Sequence, residues 1–189
     1  MRKIIITLHI SLDGFAGGPN GEMDWIRLDD EMFDLVGSFT EESDTVIYGR
    51  ITWQMMDNYW PNAANQPNAS KHDKEHSAWY NRVKKIVLSR SYHGLTTDKT
   101  TFLGDNVIEE ITKLKEEPGK NILIFGSPTA ANTLMAHNLI DEYWLFINPV
   151  LLGMGIPVFP TFNKRVDLKQ ISSKAFPCGV TGIHYAVSQ

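Results

Sequence analysis

Three short apolar runs in this 189-residue chain end in residues suited to holding phosphate. The first, Thr45-Val46-Ile47-Tyr48, is followed by Gly49-Arg50-Ile51-Thr52-Trp53. A buried strand in that order delivers a flexible glycine, a fixed cation and a fresh helix N-terminus to one point. Backbone N–H groups and the helix dipole favour anions there, and the Arg50 guanidinium adds planar, paired donors. The second run, Ile86-Val87-Leu88, meets Ser89-Arg90-Ser91, two hydroxyls around a cation. The third, Ile122-Leu123-Ile124-Phe125, enters Gly126-Ser127-Pro128-Thr129-Ala130-Ala131. Gly126 permits close backbone approach, and the N–H groups opening the next helix are orphan donors for a diphosphate. Two cations and two helix starts suggest a ligand with several phosphates. Plainer readings stand beside these: Thr52 as a helix-start hydroxyl, and Ser89-Arg90 as a solvated strand exit.

The elements that must position these residues can be read from periodicity. Lys3–Ile10, Thr45–Tyr48, Val83–Ser89 and Ile122–Phe125 are short apolar runs punctuated by Gly or Ser, the pattern of buried strands. Leu28–Phe39 places Leu28, Met32, Leu35, Val36 and Phe39 at helical spacing, and Asn106–Glu116 repeats the pattern before Pro118-Gly119 stops it. Thr129–His137 reads as a third helix entered through Pro128. Ile140–Val150, Asp167–Phe176 and Val180–Val187 are extended and follow one another as a meander or hairpin at one sheet edge. The expected fold is a three-layer α/β domain over residues 1–189, with a mixed, mostly parallel sheet and antiparallel C-terminal strands. Met56–Lys74, with Pro61, Pro67 and several Asn, is expected to be a polar loop bordering a site.

Composition narrows the partners. Eighteen Lys and Arg against 22 Asp and Glu give a formal charge of −4 without a basic block, which argues against a nucleic-acid partner. The single Cys178 excludes an intrachain disulfide and a cysteine-based zinc cluster. No apolar run approaches the roughly 20 residues that span a bilayer, and Thr7, His9 and Asp13 spoil the N-terminal run as a leader. A cytoplasmic protein with a small-molecule substrate and no membrane partner is expected. Neither Gly-x-Gly-x-x-Gly nor Gly-x4-Gly-Lys-[Ser/Thr] occurs, so a Rossmann dehydrogenase or P-loop nucleotidase fits poorly.

The ordered motifs resemble the dihydrofolate reductase superfamily, and more closely the pyrimidine-reductase domain of bacterial riboflavin biosynthesis and its stand-alone relatives. The matching pieces are Ser11-Leu12-Asp13-Gly14, Gly49-Arg50-x-Thr52-Trp53, Val87-Leu88-Ser89-Arg90, the Gly126-Ser127 turn, and Asp141-Glu142 through Asn148-Pro149-Val150-Leu151-Leu152-Gly153-x-Gly155. The resemblance implies a dihydrofolate reductase-like fold and NADPH as hydride donor. It implies phosphate binding by Arg50 and Thr52, and the adenosine 2′-phosphate at Ser89 and Arg90. It also implies a diphosphate cradle of Gly126, Ser127, Thr129 and Ala130, with Gly49 and Leu88 counted among the cofactor-binding residues. Relatives of this type often form homodimers, and the apolar segment Trp144–Leu152 is a candidate edge for one; core burial explains it equally well.

The substrate end is less legible. Hydride transfer needs an electrophilic carbon held against the nicotinamide and a proton source for its neighbour. The acid of folate-reducing relatives would fall near Phe33 or Asp34 rather than on a clearly matching carboxylate, so the catalytic candidates are Asp13, Asp24 and Trp25. Asp13 also suits a self-capping turn, Asp24 a helix entry, and Trp25 either stacking on a flat heterocycle or ordinary packing. Solvent is a further proton source. Gly14–Gly21, with four glycines, is a candidate flap. Two alternatives belong to other classes. One is an NADP-binding module without turnover. The other is a zinc hydrolase using His72, Glu75 and His76, whose His-x-x-Glu-His spacing places both imidazoles on one helix face. That segment lacks the apolar stripe of a buried metalloprotease helix and has no clear third ligand, so no metal is assigned.

Overall fold

The computed structural model describes residues 1–92, 94–159 and 165–188. The chain begins with β1 (Ile4–Ser11) and a three-residue strand β2 (Phe15–Gly17), followed by α1 (Asp30–Glu41) and β3 (Ser43–Gly49). Two helices, α2 (Arg50–Ala63) and α3 (Lys71–Arg82), precede β4 (Lys84–Leu88) and β5 (Thr100–Leu103). Then come α4 (Val107–Glu116), β6 (Asn121–Phe125) and α5 (Pro128–Met135). The remaining elements are strands: β7 (Glu142–Asn148), β8 (Ile156–Pro157), β9 (Leu168–Ala175) and β10 (Thr181–Val187). Eight of the strands form one sheet in the order β5-β4-β3-β6-β1-β7-β10-β9. β3, β4 and β5 pair in parallel, as do β1 and β7, while β10 runs antiparallel to both β7 and β9. The expected mixed α/β sheet with antiparallel C-terminal strands is therefore present.

By internal contacts the chain divides into two compact units, one of residues 1–2 and 30–123, the other of residues 3–29 and 124–189. In the first unit β3 and β4 supply Val46, Ile47, Ile86 and Val87, all buried. Strands covered on both faces read as unbroken apolar runs, as these do. Met32 of α1, Trp79 of α3, and Ile111 and Leu114 of α4 complete this core. Removing one such side chain, as in Ile111→Ala, costs about 2–5 kcal/mol. Arg2 is 7% exposed in this unit and is tied by Asp44, by the Thr45 hydroxyl at 2.7 Å and by the Lys120 carbonyl at 2.7 Å.

The expected loop over Met56–Lys74 is mostly helix. α2 continues to Ala63 through Pro61, and α3 starts at Lys71, leaving only residues 64–70 between them. Pro61 lies in the last turn, so the one ladder bond it gives up, to the Asp57 carbonyl, falls at the helix end. Ser70 opens α3: its hydroxyl accepts the Asp73 N–H at 3.1 Å, and the Asp73 carboxylate accepts the Ser70 N–H at 2.9 Å. This reciprocal cap contributes about 1 kcal/mol and outweighs the local polarity.

In the second unit the parallel pair β1 and β7 sets Ile5 opposite Glu142, His9 opposite Phe146 and Ser11 opposite Asn148. β9 forms the outer edge and every one of its residues is exposed. The glycine-rich segment after β1 is a small antiparallel ribbon rather than an open loop, because β2 pairs with β8. A Cβ on Gly155 would lie 2.2 Å from the Gly17 carbonyl oxygen, so only glycine lets these backbones approach.

Candidate functional site

In the first unit β3 runs straight into α2. Gly49 occupies the N-cap position with extended backbone and no side-chain cap, which leaves the first-turn N–H groups of α2 without a side-chain acceptor. Arg50 is exposed and reaches Gln54 Oε1 at 3.2 Å; the Gln54 amide in turn meets the Tyr92 hydroxyl at 3.3 Å. Thr52 is half-buried in the same first turn, and Trp53 packs edge-on against Phe102 with ring centroids 5.0 Å apart. The sheet register places Gly49 directly opposite Leu88, so the ends of β3 and β4 lie side by side. Ser89 is buried: its hydroxyl is 3.2 Å from that of Ser91 and accepts the Tyr92 N–H at 3.2 Å. It therefore fastens the turn from which Arg90 stands exposed. The structure thus sets the Gly49-Arg50 and Leu88-Ser89-Arg90 strand ends side by side.

The second unit offers a different kind of donor. β6 leaves the sheet through Gly126 (φ 59°) and Ser127 (φ 54°), two successive left-handed residues. A left-handed serine costs about 1–2 kcal/mol, so the conformation persists because its surroundings impose it. The Gly126 N–H is held by the Thr7 carbonyl at 3.1 Å, and the Ala131 N–H returns to the Ser127 carbonyl at 2.9 Å. Pro128 takes the first helical position, where its missing N–H removes no helix bond. No side chain caps α5, so the N–H groups of Thr129 and Ala130 have no capping side-chain acceptor at a positive dipole end. That arrangement fits a diphosphate.

The catalytic candidates have distinct surroundings. Asp13 is exposed and its carboxylate takes the Ser11 hydroxyl at 2.6 Å, the Gly153 N–H at 2.7 Å and the Leu152 N–H at 3.1 Å. The Ser11 hydroxyl, with the two backbone donors, holds its carboxyl below the usual carboxylate range. Asp13 is thus ionised and fastens the segment after β7. Asp24 is exposed in the turn after β2, and the half-buried Trp25 donates its indole N–H to the Glu22 carbonyl at 2.9 Å. Among the described residues no hydrogen bond or ring contact joins Asp13 to Asp24 or Trp25.

A polar pair in the second unit escaped the residue-by-residue reading. Asn148, fully buried at the end of β7, accepts the Arg27 N–H at 2.8 Å, donates to the Phe146 carbonyl at 3.1 Å and lies 3.3 Å from His9 Nδ1. Burial pushes His9 down to about 4, so its ring is neutral near pH 7 and Nδ1 accepts the amide hydrogen. The cue was a polar Asn closing an apolar strand, visible in Asn148-Pro149, although nothing in the spacing names His9 as its partner. At the opposite end of β7, Glu142 bridges Lys3 at 2.6 Å and His184 at 2.9 Å. Burial pulls the Glu142 carboxyl up, but the hydrogen bonds from Lys3 and His184 prevail and hold it below its ordinary value.

The zinc arrangement loses its geometric basis. His72 stacks on Phe33 at 4.0 Å between centroids, and His76, 7% exposed, packs on Trp60 at 4.1 Å and Trp79 at 5.0 Å. Both imidazoles serve an aromatic cluster. Among the described residues no group of His, Cys, Asp or Glu could hold a metal. No helix is long and apolar enough to cross a membrane among those residues.

Comparison with known proteins places this geometry. A family profile described as the RibD C-terminal domain matches residues 2–181. The Bacillus subtilis uncharacterized protein YyaP is 36% identical over 186 residues, covering 97% of this chain and 94% of its own. The crystal structure of a putative riboflavin biosynthesis protein from Shewanella sp. PV-4 is similar with a TM-score of 0.72 at 21% identity, covering 99% of both chains. A diaminohydroxyphosphoribosylaminopyrimidine deaminase/5-amino-6-(5-phosphoribosylamino)uracil reductase from Thermotoga maritima aligns with a TM-score of 0.68 at 15% identity. It covers 99% of this chain and 57% of that one.

Proposed function

Because the chain belongs to the RibD C-terminal domain family, with a reductase-type fold, we infer that it is an NADPH-dependent reductase. Its substrate in this reading is a small planar nitrogen heterocycle or a ribitylamino-pyrimidine-like molecule. The observation that carries the reading is the left-handed Gly126-Ser127 turn opening α5 without a side-chain cap. A strained turn aimed at an uncapped helix start is a device for binding a diphosphate. NADPH, when bound, supplies the hydride. Gly126, Ser127, Thr129 and Ala130 hold the diphosphate, Arg50 and Thr52 bind phosphate beside Gly49, and Ser89 with Arg90 at the end of β4, next to Leu88, meets the 2′-phosphate. At the substrate end Asp24 and Trp25 are the contact residues, with Asp24 or water giving the proton. Asp13, already ionised and committed to three donors, positions the segment after β7.

Pairing of two copies belongs to the same proposal. The expected edge, Trp144–Leu152, begins inside the sheet as β7, between β1 and β10, so it is not available as an edge. The outer strand is β9, exposed throughout, with Leu168 and Ile171 among Lys169, Gln170, Ser172, Ser173 and Lys174, and its unpaired side is the template for association. A cytoplasmic setting suits the lone Cys178.

The test is to follow NADPH fluorescence on adding protein, then loss of NADPH absorbance with folates, pteridines, aminopyrimidines and quinones. Saturable NADPH binding, tighter than that of NADH, followed by turnover of one ring class is expected. Binding without turnover would leave an NADP-binding module, and absence of binding would remove the reading altogether.

A further inference from the structure

His9, the one titratable side chain on β1, has its ring fixed by a neighbour that leaves no choice of tautomer. Asn148 Oδ1 takes the Arg27 N–H at 2.8 Å, and a backbone N–H can only donate, so the amide cannot be turned round. Its Nδ2 therefore faces the Phe146 carbonyl at 3.1 Å and His9 Nδ1 at 3.3 Å. An amide nitrogen brings only hydrogens, so Nδ1 must offer its lone pair and the ring proton must sit on Nε2. Burial, which pushes the ring down to about 4, keeps it neutral near pH 7. Among the described residues that Nε2–H meets no acceptor, and it is not one of the unpartnered atoms sealed from solvent. It opens outward as a neutral donor in one orientation, backed by the Phe146 ring stacked 5.0 Å away. Covering Phe146 alone asks for an apolar residue, not for an imidazole clamped by a fully buried amide.

The donor stands among the residues proposed for the reaction, all within the second unit. His9 is two residues beyond Thr7 on the same face of β1, about 7 Å along the strand. The Thr7 carbonyl is the group that holds the Gly126 N–H in the turn before α5. The same Asn148 that orients the imidazole also clips the backbone of Arg27, two residues after Trp25. One buried amide thus ties together the ring, the end of β7 and the chain segment carrying Asp24 and Trp25. Open α/β sheets place their ligands at the carboxyl ends of parallel strands, and His9 and Asn148 lie toward that end of β1 and β7.

We propose that His9 is a further substrate-binding residue, whose Nε2–H donates to a carbonyl oxygen of the flat heterocycle and selects carbonyl-bearing rings over their amino counterparts. The inference rests on the reductase reading for the kind of molecule bound. A neutral imidazole adds no charge and gives up no proton; it marks one edge of the ring by a hydrogen bond. An amino group at that edge sets N–H against N–H and leaves both unpaired, a mismatch that costs more than the bond itself contributes. Asn148 is the positioning residue, acting through His9.

Nuclear magnetic resonance of the full chain, with isotope-labelled imidazole nitrogens and no NADPH, tests the contact. The probes are lumazine, a pteridine with two ring carbonyls, and 2,4-diaminopteridine, where amino groups replace them. The free protein should show the His9 proton on Nε2, assigned through the contact of its ring with Phe146. Lumazine should move that resonance saturably while the exposed His137 stays in place, and 2,4-diaminopteridine should bind about tenfold more weakly or worse. His9→Phe keeps a ring on Phe146 and loses the donor. Its lumazine affinity, followed by tryptophan fluorescence, should fall about tenfold, and the preference between the two pteridines should vanish. Where His9→Phe fails to fold, which circular dichroism would show, the wild-type His9 signal decides. The proposal is overturned if the proton lies on Nδ1, or if lumazine leaves His9 unmoved up to about 1 mM. It is equally overturned if both pteridines move His9 alike, or if folded His9→Phe keeps the wild-type preference. A separate titration with NADPH keeps the two readings apart. NADPH binding with an unresponsive His9 removes this proposal alone, and a responsive His9 without NADPH binding removes the reductase reading alone.

Discussion

In the first unit the start of α2 is flanked by charged and hydroxyl side chains suited to anions: Arg50 and Arg90 are exposed, and Ser89 is buried and fastens the turn before Arg90. In the second unit the suited groups are backbone N–H groups, aimed by two left-handed residues and the start of α5. The two solutions differ in what they recognise. Backbone donors at a helix start are fixed by the fold and suit the diphosphate that NADPH and NADH share. An exposed guanidinium is adjustable, screened by salt, and suited to the extra phosphate that distinguishes the two. Fold strain would then carry general affinity, and side chains would carry selectivity.

The sharpest way to break this contrast is Gly126→Val. A β-branched residue at φ 59° pays left-handed strain and shifts the turn, so affinity for NADPH and NADH should fall together, by about a hundredfold. Fluorescence titration with both cofactors checks it. A loss confined to NADPH would mean that the turn reads the 2′-phosphate instead.

Each unit also holds a histidine as a neutral ring, buried in the first and half-buried in the second, and acid should expose the cost. His76 in the first unit is pushed down to about 3, by burial and then by His72, and His9 in the second to about 4 by burial. Between the ordinary value near 6.5 and these folded values, the unfolded chain binds a proton that the folded chain refuses. Stability therefore falls as pH falls through that window, and levels off below the folded value. At pH 5 both rings are about 1.5 units into the window, so each should cost about 2 kcal/mol relative to pH 7. Urea unfolding at the two pH values measures the loss, and His76→Phe should remove its share.

Arg90→Ala follows in size. NADPH affinity should drop about tenfold while NADH affinity holds, and the salt dependence of NADPH binding should become shallower. Equal falls for both cofactors, or no change in either, would reassign Arg90 to plain surface.

Sequence alone carried most of the sheet because buried parallel strands leave unbroken apolar runs, though it missed the short β5, and it singled out the residues proposed to hold phosphate because they sit immediately after those runs. It failed where tertiary contacts override local composition. Pro61 and the asparagines around it mark a loop only if packing is ignored, and Ser70-x-x-Asp73 was a cap signal visible in the text of the chain. β2 and β8 were invisible because a three-residue strand exists only through its partner. For the same reason His9 could not be matched to Asn148, which lies 139 positions away. The spacing of His72, Glu75 and His76 was real, but the neighbours that make it an aromatic cluster come from α1 and α2.

The smallest expected effect concerns Asp13, where a side chain is used to organise backbone. Its three donors include the N–H groups of Leu152 and Gly153, so the carboxylate works as a clasp on the segment after β7. Asn at this position keeps one acceptor oxygen but turns an NH2 toward a donor, which should loosen the clasp. Asp13→Asn should therefore lower turnover only a few-fold and leave the pH profile where it was. A proton donor in the transition state would behave otherwise: its loss removes about 10²–10⁴-fold in rate and erases one limb of the profile. Turnover of Asp13→Asn and Asp24→Asn, measured side by side across pH, separates the two roles. A collapse in the first variant with little change in the second would move the chemistry from Asp24 to Asp13.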